Sequence, residues 1–171
     1  FDVQAPDNYL QAVYTGSNYL VTAFTRVAPN DFHRVQERLP EIHFDWLPQI
    51  IGNGIYERFQ ASFAALREDS LGNIGPTLRS NRLDSYYAVS KTFSHEDWFS
   101  FTPIVAGRVT HYSRATGGKG SYTRSLGEVG FDLSVRTSSV SDYQNKTWKI
   151  NGIRHLFTPR LSYRYVTEAD K

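Results

Sequence analysis

Apolar and polar residues alternate with a period of two along segment after segment of this chain. In Gly130 to Arg136, Phe131, Leu133 and Val135 fall on one side and Asp132, Ser134 and Arg136 on the other. From Ile153 to Val166 the pattern runs longer, with Phe157, Pro159, Leu161, Tyr163 and Tyr165 opposed by Thr158, Arg160, Ser162, Arg164 and Val166. Such alternation marks β-strands with one apolar and one wet surface. Strands of soluble sandwiches usually run about 5–6 residues, whereas these patterns persist for roughly 9–15, the length a tilted membrane-spanning strand needs. The expected fold is all-β, an antiparallel transmembrane outer-membrane β-barrel. The pattern gives about eight strands, expected to be the whole of such a barrel or a part of one.

The pattern places a hairpin at Tyr9 to Tyr14 and Tyr19 to Val27, joined by the turn-forming Thr15-Gly16-Ser17-Asn18. Ala28 to Arg38 reads as loop or a short helical turn. Ile42, Phe44 and Trp46 then alternate with Glu41, His43 and Asp45 in a strand ending at Leu47-Pro48. Ile55 to Arg67 fits either a strand or a helix by period. Gly52-Asn53-Gly54, a strong tight-turn signal, decides for strand. A polar loop from Glu68 to Asn81 leads to strands at Arg82 to Phe93 and Trp98 to Tyr112, separated by a turn at Ser94 to Asp97. After the Gly-rich loop Ser113 to Ser121 come Tyr122 to Arg136, a loop from Thr137 to Asn151, and a last strand from Gly152 to Val166. Short and long loops alternate, as between the periplasmic and outer ends of a membrane barrel.

Composition narrows the class. Of 171 residues, 40% are hydrophobic and 21% charged, so the chain is no disordered tail, and no run approaches the roughly 18 apolar residues of a membrane helix. Aromatic residues reach 15%, which suits the girdles of membrane barrels and also carbohydrate-binding β proteins. With no cysteine there is neither a disulfide framework nor a thiolate metal site. A net charge of +2, with Lys and Arg spread singly along the strands, is too small to argue for nucleic-acid binding. Composition does not shift along the chain, so residues 1–171 are expected to be part of one β-barrel domain. Phe1 and Lys171 carry no terminal punctuation, and a fragment is the expectation.

No residue pattern points to covalent chemistry. His33, His43, His95, His111 and His155 are scattered outside metal-ligand spacings. His43 and Asp45 share a strand face, but two residues make no coordination sphere. Gly117-Gly118-Lys119-Gly120-Ser121 lacks the spacing of a phosphate loop, and no serine sits in a nucleophile elbow. The chain is therefore expected to be no enzyme, with no cofactor and no metal. The faces themselves are the candidate site. Arg58, Arg82, Asp84, Arg108, Arg124, Glu128, Asp132, Arg160 and Arg164 are expected to face a lumen, together with Gln60. Phe99, Phe101, Val129, Phe131, Leu133, Leu161 and Tyr163 are expected to face lipid. A soluble barrel would invert the same alternation, so periodicity alone does not separate the two.

Three motifs in order carry a resemblance: Arg38-Leu39-Pro40-Glu41-Ile42, then Arg82-Leu83-Asp84-Ser85-Tyr86 leading to Phe101-Thr102-Pro103, then Gly152-Ile153-Arg154-His155-Leu156-Phe157-Thr158-Pro159-Arg160-Leu161-Ser162-Tyr163-Arg164-Tyr165-Val166. The last is the most specific, with Thr158 where Glu is more usual. From about Val21 to Val166 the chain resembles the barrel domain of the LptD family of LPS-assembly proteins, also called organic solvent tolerance proteins. The resemblance implies a large barrel of roughly two dozen strands, here its middle part. It also implies insertion of lipopolysaccharide into the outer leaflet of the bacterial cell outer membrane. The implied partners are lipopolysaccharide, an LptE-like lipoprotein plug, the periplasmic Lpt bridge and the lipid bilayer, with no nucleic acid. The residues alone leave two other readings open: a complete small outer-membrane barrel acting as pore or adhesin, and a soluble ligand-binding β-barrel.

Overall fold

A computed structural model describes residues 8–27, 36–68, 77–114 and 120–168. These form eleven strands: β1 (Asn8–Thr15), β2 (Tyr19–Val27), β3 (Gln36–Gly52), β4 (Ile55–Glu68), β5 (Leu78–Lys91), β6 (Phe93–His95), β7 (Phe99–Tyr112), β8 (Tyr122–Val135), β9 (Thr137–Asn145), β10 (Ile150–Phe157) and β11 (Arg160–Val166). No helix occurs among the described residues.

Eight strands form one antiparallel meander in the order β1-β2-β3-β4-β5-β7-β8-β11, and β6 pairs with β7 beside it. β9 and β10 make a separate two-stranded sheet. Turn chemistry sets the connections. Asn53 and Gly54, at φ 48° and 71°, form the two-residue β3–β4 turn whose positive dihedrals match the twist of the flanking strands. At the β1–β2 turn the Gly16 N–H donates to the Tyr19 carbonyl at 2.8 Å. The ambiguous segment at 55–67 is strand β4, paired along its whole length with β5. β4, β5, β7 and β8 each run 14 residues, longer than the roughly 9–11 that cross a bilayer at a tilt.

Several expected boundaries move. β3 runs past Leu47-Pro48 to Gly52, because register shifts between Trp46 and Gln49 absorb the proline. The expected turn at Ser94 to Asp97 contains the end of β6. The expected single strand from Gly152 to Val166 is two strands in different sheets, and the expected loop from Thr137 to Asn151 is mostly β9. Pro159 has no N–H to give a ladder, so the chain leaves one sheet at Phe157 and joins the other at Arg160. β9 is rich in serine, its apolar alternation is weak, and it is held by pairing with β10. Asn145 Oδ1 closes that hairpin, accepting from the N–H groups of Thr147 and Trp148 at 3.0 and 3.1 Å. Residues 28–35, 69–76 and 115–119 of the expected loops, with His33 and Gly117-Gly118-Lys119, lie outside the described residues.

Among the described residues the sheet has no large apolar core. Among these residues the buried apolar ones are Ala64, Ala88 and Ala106, and the largest fully buried side chain is Glu41. Phe63, Leu83, Val105, Val109, Val129, Leu161, Tyr163 and Tyr165 are exposed together on the opposite face.

Candidate functional site

Register assigns every strand residue to a face. One row of neighbours reads Thr22, His43, Ser62, Asp84, Thr110, Arg124 from β2 to β8. The row on one side is Leu20, Asp45, Gln60, Tyr86, Arg108, Leu126, and on the other Phe24, Glu41, Ala64, Arg82, Tyr112, Tyr122. Arg58, Ala88, Ala106, Glu128 and Val166 make a fourth. Gly130 with Arg164, Asp132 with Ser162, and Ser134 with Arg160 continue the same face on β8 and β11. All nine charged residues singled out in the sequence therefore share one surface. Phe99, Phe101, Val129, Phe131, Leu133, Leu161 and Tyr163 lie between these rows and share the other.

Across β2 to β8 the charged face is concave, enclosing about 430 Å³ between the side chains of these rows. Its floor is made of small residues, with Ser62 7% and Thr110 2% exposed. Longer neighbours lean over them and pair. Glu41, 1% exposed, is the hub: Arg38 Nη1 donates to its Oε2 at 2.7 Å and Arg82 Nη2 to its Oε1 at 2.7 Å. The His43 ring nitrogen Nε2 lies 2.9 Å from the same Oε1. Arg108 grips Asp84 through Nε at 3.0 Å and Nη2 at 2.8 Å, and the Thr110 hydroxyl donates to the same carboxylate. Arg58 reaches Asp45 at 3.3 Å.

A second cluster sits on β8 and β11. Arg164 Nη2 donates to Asp132 at 2.8 Å, its Nε lies 3.4 Å from Glu128, and Nη1 donates to the carbonyls of Phe131 and Tyr163 at 3.0 and 2.8 Å. Arg160 belongs to neither cluster; with Ser100, Ser134, Arg136, Glu96 and Asp97 it lines another concavity of about 400 Å³ near the crossing from β10 to β11.

Glu41 is the residue that sequence reasoning underused. It shares strand parity with His43 and Asp45, which was visible, but its partners Arg38 and Arg82 are 3 and 41 residues away. His43 and Asp45 do share a face, yet each turns to a different partner. Among the described residues no three His, Asp or Glu side chains converge as metal ligands.

The opposite face is apolar in a diagonal band. In the row Glu57, Val89, Val105, Val129, Tyr165 the β4 member is charged and the β8 and β11 members are apolar. In the row Phe63, Leu83, His111, Thr123 the order is reversed. Aromatic rings touch along the band, Tyr19 with Phe44 and Phe44 with Phe59 at one side, Phe101 with Phe131 and Phe131 with Tyr163 at the other, with centroids 5.6–6.3 Å apart.

A family model described as LptD, LPS transport system D, matches residues 4–171. A search of curated proteins finds no match.

Proposed function

The chain belongs to the LptD family of LPS transport, and from that membership we propose that it forms part of the wall of an outer-membrane barrel that inserts lipopolysaccharide into the outer leaflet. The diagonal apolar band carries this reading. In a barrel the strands tilt by roughly 35–45° to the axis, so a band level with the membrane must slide along successive strands. The shift from Phe59–Phe63 on β4 to Val129–Leu133 on β8 is such a slide, since Val129 stands level with Glu57.

In this arrangement the apolar face meets lipid and the concave charged face lines a hydrated lumen. β1 and β11 end the meander, and we assign their outer edges to further strands that close the barrel, because unpaired backbone is not tolerated against lipid. The lumen would host a lipoprotein plug of the LptE kind, and a periplasmic bridge would deliver lipopolysaccharide. The work is passage and orientation of a polar saccharide, without covalent chemistry. The test is depletion of the protein in living cells with impermeant labelling of surface lipopolysaccharide. Loss of newly labelled lipopolysaccharide supports the reading, and undiminished labelling refutes it.

A further inference from the structure

We propose that the concavity around Arg124 is a binding site for an anionic sugar group, a phosphate or carboxylate carried on a saccharide. The inference rests on the lumen reading above and goes beyond it to a named place on the wall. Its first support is an imbalance of charge. The lining of the concavity holds three arginines, Arg82, Arg108 and Arg124, against two carboxylates, Asp45 and Asp84. Both carboxylates are already engaged, Asp84 by Arg108 and Asp45 by Arg58 from outside the lining, and Arg82 is paired with Glu41 just beyond it.

The second support is a pair of orphaned donors. The Nε atoms of Arg82 and Arg124 are both shut off from solvent without an acceptor, and both residues line the concavity. Buried guanidinium N–H groups without partners are costly, and both belong to arginines that line one concavity, where their charge favours an oxyanion. Arg82 has its other end tied to Glu41, so it is held in place for such a ligand. Arg124 has no acceptor among the described residues and is the group left to bind.

The third support is the remaining lining. Thr22, Gln60, Ser62 and Tyr112 bring hydroxyl and amide groups around the arginines, with Leu20 at one edge. Neutral donors and acceptors of this kind match sugar hydroxyls, and about 430 Å³ is within the range of small-ligand pockets.

The experiment uses the purified full-length protein with its partner lipoprotein in detergent, and glucose 1-phosphate as the probe, followed by phosphorus NMR line broadening. Saturable binding is expected, with glucose alone failing to compete and inorganic phosphate binding more weakly than the sugar phosphate. Arg124→Gln should weaken binding about tenfold or more, the loss of one charged hydrogen bond, and Arg124→Lys should weaken it less. Arg154→Gln, on the separate β9–β10 hairpin, should leave it unchanged. Heat-modified gel mobility checks that each variant still folds, and the comparison of the three probes on the unaltered protein stands without any variant. Equal binding by inorganic phosphate overturns recognition of a sugar. Unchanged binding by folded Arg124→Gln overturns the site. Binding that arises only after the lipoprotein is stripped away assigns the concavity to a partner carboxylate instead. None of these results alters the labelling of surface lipopolysaccharide, which tests the lumen reading separately.

Discussion

Gly130 and Arg164 are register partners on β8 and β11, and the arginine's stem lies where a side chain on Gly130 would go. A Cβ at Gly130 would stand 2.7 Å from Arg164 Cδ and would also meet the Tyr163 carbonyl oxygen. The absence of a side chain there lets Arg164 lie flat and reach Asp132 and Glu128. Gly130→Ala should therefore loosen the β8–β11 pairing, at a cost of about 1–3 kcal/mol, measurable as a lower urea midpoint of the folded full-length protein. An unchanged midpoint would mean that β11 does not pair as described.

Glu41 holds two arginines at once, and its removal leaves both without their shared carboxylate. Glu41→Ala is expected to destabilise the protein by on the order of 3 kcal/mol, whereas Arg58→Ala, which breaks a longer and more exposed pair, should cost under about 1 kcal/mol. Unfolding in urea compares the two. A smaller loss for Glu41→Ala than for Arg58→Ala would remove Glu41 from the centre of the network.

Much of this was legible in the sequence, for a physical reason. A strand exposes alternate side chains to opposite faces, so the parity of Arg82, Asp84, Arg108 and Arg124 could be read without knowing which strands pair. Partners could not be read that way. Arg82 finds Glu41 across β4, and Arg108 finds Asp84 across 24 residues of chain. Such contacts depend on register, which period alone does not fix. The β9–β10 hairpin was missed because its first strand has weak alternation and its second joins smoothly in sequence to β11 through Pro159.

The diagonal band separates two positions on one strand and one face. Phe131→Arg should cost roughly 2–4 kcal/mol in a bilayer folding assay, the price of charge at the lipid midplane. Thr123→Arg, eight residues earlier on β8 and outside the band, should cost about 0–1 kcal/mol. Equal costs would show that face alone, and not tilt, decides the environment.

At the β3–β4 turn Gly54 adopts φ +71° with open space around it. Gly54→Ala meets no neighbour and should cost about 1–2 kcal/mol through backbone strain alone. The same unfolding assay checks it, and a neutral result would argue against the two-residue turn.

The central claim is that the charged face of the sheet is wet and the apolar face meets lipid. The most direct measurement places single cysteines along β8, at Arg124, Glu128 and Asp132 and at Val129, Phe131 and Leu133, in the full-length protein in native membranes. A water-soluble maleimide is then added, and modification is read peptide by peptide in a mass spectrometer. Reaction at the first three positions and protection at the second three is the predicted result. Reaction at Val129, Phe131 and Leu133 would put the apolar face in water and contradict the account.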